Sequence, residues 1–254
     1  MCLANKSSFA VGSAEANVSA IARRFSEAGG VFVTPAPAVA TRLRRVRAVV
    51  FDWDGVFNSG VKGQGQPSTF SEADSMGSNM LRYALWRQAK RLPVVAVVSG
   101  EENRVALQFA KRERFQAVYS GVRDKRLVIE HLCSRHKLET DEVVCVFDDI
   151  NDLGMAALCG VRYLVRRAAS PLLTRYVLEH ELCDYISANE PSQYAVRELC
   201  ELSLGLMGMF DPVVDSRVAY DASYQHYFTQ RQAGRTHCYT QKARKLVSLR
   251  TRQK

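Results

Sequence analysis

The sequence predicts an α/β fold built on a doubly wound, mostly parallel sheet, and three observations carry that expectation. Short apolar, β-branched runs recur at 47–51, 93–98, 117–119, 143–147 and 161–165. Segments with the apolar spacing of helices separate them, the rhythm that sets parallel strands side by side. The first, second and fourth runs end directly in side chains capable of chemistry, and the third leads into them. That is where open α/β sheets hold their ligands, in the crevice beyond the carboxyl ends of the strands.

In chain order, residues 1–17 are small and polar and read as a mobile end. A short helix over 18–28 is closed by Gly29-Gly30, a short extended piece covers 31–34, and a helix over 35–45 delivers the chain into the first strand. After Gly60 the stretch 62–69 is rich in Gly, Gln, Pro and Ser and reads as a loop. Residues 74–91 are helical, with Met76, Met80, Leu81 and Leu85 on one face. Helices over 101–114, 124–137, 152–159 and 171–181 follow, the last started by Ser170 as a side-chain cap and Pro171 in the first turn. A final helix spans 194–209. No internal repeat is apparent. The organisation read from this is an N-terminal extension (1–45), a core (46–212) and a C-terminal extension (213–254).

The net charge of +9 suggests nucleic acid until it is located. Residues 231–254 hold eight Lys or Arg and no acid, which leaves 27 basic against 26 acidic residues elsewhere. The excess therefore belongs to a basic tail, read as a solvated end whose loss spares activity; nucleic-acid binding is the minority reading. Seven cysteines without a Cys-x-x-Cys pair point to reduced thiols in a cytoplasmic protein. No run approaches the ~18 apolar residues of a membrane span.

The strand ends carry the chemistry. Asp52 and Asp54 follow the first run and can face one site while Trp53 points away; the same residues would also serve as an acidic turn. Ser99-Gly100 ends the second run. Ser120-Gly121 and Asp124-Lys125 follow the third, and Asp148-Asp149 with Asp152 the fourth. Three acids at one buried strand exit repel one another, which favours a bound cation.

In this order and spacing the four motifs resemble the haloacid dehalogenase-like phosphatases. The narrower likeness, over about 46–212, is to the capless sugar-acid phosphatase branch. It rests on Asp54-Gly55-Val56 with Gly60, on the stretch from Tyr119 to Lys125, on Asp148 to Asp152, and on Ala195-Val196-Arg197-Glu198-Leu199. The resemblance implies that Asp52 is a nucleophile forming an aspartyl-phosphate and that Asp54 is the acid and base. It implies that Ser99 and the Gly100 amide hold phosphate, and that Lys125, oriented by Asp152, neutralises it. Mg²⁺ would be held by Asp52, the Asp54 carbonyl, Asp148 and Asp149. It further implies a small β-flap at 61–70 instead of a large cap domain. A homo-oligomer is expected, such as a tetramer whose flaps help close neighbouring sites.

The chain departs from that branch at residues that would meet the rest of the substrate. Phe147 replaces a usual Gly, Glu101 a common Arg, Ser68 and Ala73 basic residues, and 191–194 a glycine-rich stretch. Glu101 would oppose a substrate carboxylate, with Arg197 as the one matching cation that could bind it. The expected partner is a small phosphorylated metabolite, a sugar phosphate, neutral rather than acidic. The alternative is a catalytically weak relative acting as an oligomeric or binding module, for which Phe147 could crowd the metal loop.

Overall fold

A computed structural model describes residues 5–63 and 68–249, with side chains from residue 15 onward. Nine strands form one sheet. The three central ones are β2 (Ala48–Asp52), β3 (Val94–Ser99) and β5 (Val143–Phe147), each buried over its whole length. β2 pairs in parallel with both β3 and β5. Outward from β5 lie β6 (Val161–Leu164) and β7 (Tyr185–Ile186), both parallel, then the antiparallel edge strand β1 (Val31–Phe32). Outward from β3 lies β4 (Ala117–Ser120) and then a strand the sequence reading lacks, β8 (His237–Lys242), whose partner β9 (Lys245–Ser248) closes the sheet antiparallel.

The central strands are apolar throughout because both faces of the sheet are covered, and their alternate residues enter different cores. Val49 and Phe51 of β2 and Val144 and Val146 of β5 face one layer. There they meet α2 (Ala36–Leu43), α3 (Glu72–Ala89), α4 (Arg104–Arg112) and α8 (Ala195–Leu206). Val50, Cys145 and Phe147 face the other, against α5 (Arg126–His136), α6 (Leu153–Ala156) and α7 (Pro171–Glu179). Phe147 is wholly buried there with Met155, so its bulk is taken up by core packing.

Several helix limits shift for local reasons. α3 begins at Glu72 because Ser71 caps it, its hydroxyl accepting from the Asp74 amide at 3.0 Å. α4 begins only at Arg104, since Asn103 is its cap. Ser170 makes no side-chain cap bond, so Pro171 alone preorganises the start of α7.

Both ends of the chain differ from expectation. The helix read over 18–28 is the second half of α1 (Asn5–Glu27), which takes in most of the stretch read as a mobile end. It packs on α8, and Asp184 ties the N-terminal block to the sheet by accepting from Thr34 Oγ1 and Arg42. At the other end, α9 (Phe210–Ala219) and α10 (Ala222–Gln232) pack on α3 through Tyr83, Trp86, Tyr224 and Tyr227. Over its described residues, 231–249, the basic tail is not a solvated end. Arg231 is buried against Glu113 at 2.7 Å, and Cys238 and Tyr239 are buried in β8. Charge counting hid this because the exposed cations Lys242, Arg244 and Lys245 cluster at the hairpin turn.

Between Gly60 and Ser71, at the expected flap, the described residues form no strand; residues 64–67 lie outside the description. Among the described residues no helix is long and apolar enough to cross a membrane, and six buried cysteines are free thiols.

Candidate active site

Parallel strands deliver their carboxyl ends to one edge of the sheet, and a cavity of about 520 Å³ opens there. Asp52 is the last residue of β2 and is buried. Trp53 turns into the opposite layer with no exposure, and Asp54 faces the cavity again. Gly55 follows with φ of 88°, a conformation that favours glycine. A Cβ on Gly55 would lie 2.0 Å from Asp148 Oδ2, so the turn after β2 and the acid after β5 fit only because that side chain is missing.

Lys125, buried at the start of α5, donates from Nζ to Asp52 Oδ1 at 2.5 Å and also to Asp152 Oδ1. Burial by itself would lower its pKa, but attraction to Asp52 and Asp152 wins and pushes it up. Asp52 is raised well above the carboxylate range, by burial first and then by Asp152, against the opposing pull of Lys125. Asp148 is raised to about 6, again chiefly by burial, while a hydrogen bond from Arg167 works against the shift. One buried ammonium thus serves a set of carboxylates that repel one another.

Asp54 is held by hydroxyls. Ser68 Oγ donates to its Oδ1 at 3.3 Å, Ser99 Oγ to Oδ2 at 3.5 Å, and Lys62 Nζ stands 3.2 Å from Oδ2. Ser68 in turn accepts from Trp53 Nε1 at 2.5 Å and from Asn103 Nδ2 at 2.8 Å. Gly100 and Glu101 line the cavity beside them.

The structure brings together Asp52, Asp54, Ser99, Gly100, Lys125, Asp148 and Asp152 at one strand edge. Asp149 lines the same cavity, but it is exposed and its carboxylate caps the turn 150–152, accepting from the Ile150 amide at 2.7 Å. The tightest carboxylate group is therefore Asp52, Asp148 and Asp152, whose oxygens lie within 4.8 Å of one another, rather than a set containing Asp149. Arg197 is elsewhere. It lies on α8, donates to Glu201 at 2.6 Å, and lines a separate cavity with Phe25 of α1 and Phe210 of α9. α8 packs on α3 and α1, and the Arg197 amide donates to Asp74 Oδ1 at 2.8 Å.

Three cations at the site have no role in the sequence reading. Arg167, three residues beyond β6, pairs with Asp148; applying the strand-end rule to the fifth apolar run would have found it. Arg123 stands inside the stretch from Tyr119 to Lys125 and lines the cavity. Lys62 sits in a polar loop with no signal to single it out.

The donor set suits Mg²⁺, which takes hard oxygen ligands and keeps several waters. Six carboxylates line the cavity against four cationic side chains. That excess of negative charge would repel a phosphate unless a divalent cation offset it. Asp52, Asp148 and Asp152 are the carboxylates placed to hold the metal, and each is bonded here to a cation, Asp52 and Asp152 to Lys125 and Asp148 to Arg167.

No family model matches the chain. Among curated proteins it is 25% identical over 179 residues to 3-deoxy-D-manno-octulosonate 8-phosphate phosphatase KdsC of Salmonella typhimurium, covering 69% of this chain and 88% of that protein. Among solved structures it resembles a probable YrbI family phosphatase from Pseudomonas syringae pv. phaseolica 1448a. The TM-score there is 0.60 at 26% identity, over 71% of this chain and 97% of that one. The 3-deoxy-D-manno-octulosonate 8-phosphate phosphatase of Moraxella catarrhalis, solved with magnesium, phosphate and KDO, shares the fold. Its TM-score is 0.59 at 20% identity, over 70% of this chain and 97% of that one. Likeness in sequence and in fold converges, and the chain is similar to the 3-deoxy-D-manno-octulosonate 8-phosphate phosphatases.

Proposed function

We propose that the chain hydrolyses a small sugar phosphate through an aspartyl-phosphate on Asp52. The observation that carries this is the contact of buried Lys125 with Asp52 inside a cavity that also holds Asp54 and Asp148. An oxygen of Asp52 attacks phosphorus as the bond to the sugar oxygen breaks, and Asp54 gives that oxygen its proton. Water then attacks the aspartyl-phosphate, Asp54 takes a proton from it, and inorganic phosphate and free Asp52 return. Lys125 neutralises phosphate charge, Asp152 holds Lys125, and Ser99 with the Gly100 amide binds phosphate oxygens. Mg²⁺, held by Asp52, Asp148 and the Asp54 carbonyl, would add positive charge against the phosphate oxygens.

The mouth of the cavity modifies the expectation about substrate charge. Glu101 is there, as a residue opposing a substrate carboxylate should be, but Lys62 and Arg123 stand on the same rim. The rim therefore does not exclude an acidic sugar, and we place acidic and neutral sugar phosphates within about tenfold of each other in kcat/KM. A panel of phosphorylated sugars and sugar acids assayed with Mg²⁺ tests the function. No turnover of any member, or of an aryl phosphate, would refute it. A homo-oligomer belongs to the same proposal, and light scattering at assay concentration checks it.

A further inference from the structure

The loop that joins β4 to Lys125 is gripped from two sides. On the inner side the Val122 amide donates to the Ser99 carbonyl at 3.1 Å. On the outer side the Arg123 and Asp124 amides both donate to Gln241 Oε1, at 2.9 and 3.2 Å. Gln241 lies on β8, outside the stretch that carries the family likeness. Its own Nε2 is fixed by the Ala243 carbonyl at 2.8 Å. β8 holds register with β4 from Ala117↔His237 to Ser120↔Thr240, and Tyr119 stacks on Tyr239 with ring centres 5.2 Å apart. Gly121, at φ 66°, turns the chain directly beside Thr240, where a Cβ would come within 3.3 Å of Oγ1.

From this we infer that Gln241 is a positioning residue for the phosphatase reaction: the C-terminal hairpin clamps the loop that sets Arg123 at the cavity mouth and Lys125 on Asp52. The inference rests on the function proposed above. Two adjacent amides just ahead of a helix need an acceptor, and without one they take water and the loop gains freedom. Lys125 then loses its fixed approach to Asp52, and Arg123 its place on the rim.

The test uses the full chain with Gln241→Met, which keeps bulk but offers only a weak sulfur acceptor, and Gln241→Glu, which keeps the oxygen acceptor and gives up only the exposed Nε2 bond to Ala243. Hydrogen exchange of the segment 121–125 and kinetics on an aryl phosphate are measured together. Gln241→Met should speed exchange in that segment and lower kcat/KM about tenfold, the scale of one or two lost hydrogen bonds, with a weaker grip on inhibitory phosphate. Gln241→Glu should restore the protection and most of the activity. Unchanged exchange and kinetics in Gln241→Met overturn the inference, as does faster exchange with undiminished turnover. Equal loss in both variants also overturns it, because the acceptor would then not matter. A wild-type chain without phosphatase activity refutes the proposed function instead, and exchange alone still decides whether Gln241 holds the loop.

Discussion

Lys125 and Asp52 are 73 residues apart in sequence, yet Nζ and Oδ1 meet at 2.5 Å in a buried site. A buried ammonium held by two carboxylates is costly unless each partner is satisfied, so the pair fixes where α5 begins relative to β2.

Replacing Asp52 with Asn keeps the shape and removes the attacking charge. Turnover should fall on the order of 10³-fold or more while the fold is kept. Steady-state assay on an aryl phosphate, beside circular dichroism, checks this; near-wild-type activity would exclude Asp52 as nucleophile.

Chelator should abolish activity and added Mg²⁺ should restore it, since the cavity is short of positive charge without a divalent ion. In Asp148→Ala the ion loses a carboxylate, and activity should not return at ordinary Mg²⁺ concentrations. Full activity in chelator would remove the metal from the mechanism.

Ser68→Ala takes away the hydroxyl that donates to Asp54 and accepts from Trp53 Nε1 and Asn103. kcat should drop about tenfold with KM little changed, because in the proposed mechanism Asp54 acts on the leaving oxygen rather than in binding. Stability should fall by about 1–3 kcal/mol for the indole N–H left unpaired. A rise in KM at constant kcat would show that Ser68 serves binding instead.

Truncation separates the basic tail into two parts. Ending the chain after Leu249 removes no described strand and should leave melting and hydrolysis unchanged. Ending it after Gly234 removes β8 and β9, uncovers the edge of β4, and should cost both stability and activity. Equal behaviour of the two truncations, by thermal melting and aryl phosphate hydrolysis, would mean that the hairpin contributes nothing.

Asp184 has no side-chain exposure and accepts from Thr34, Arg42 and Arg162, which together hold its pKa below the usual value of 3.8 against the cost of burial. A carboxyl with a depressed folded-state pKa adds stability that is complete above the unfolded value and is lost as pH falls through the folded one. Asp184→Asn should therefore cost about 3 kcal/mol in urea melts at neutral pH. The gap from wild type should narrow as the pH drops below about 4. A gap that stayed constant with pH would show that charge is not what Asp184 contributes.

The sequence by itself determined the central strands of the sheet and the residues at their ends. Both follow from local facts: a buried parallel strand must be apolar throughout, and the acids, hydroxyl and lysine stand within a few residues of where those runs stop. Tertiary structure decided what meets them. Arg167 reaches Asp148 only because β6 lies beside β5, and Arg197 is carried away because α8 packs on α3 and α1. The tail reads as a charged end until β4 is seen to offer an open edge, which His237 to Thr240 can extend by backbone hydrogen bonds that carry no sequence signature of their own. Residue type set the chemistry, and long-range strand pairing and helix packing set which side chains share it.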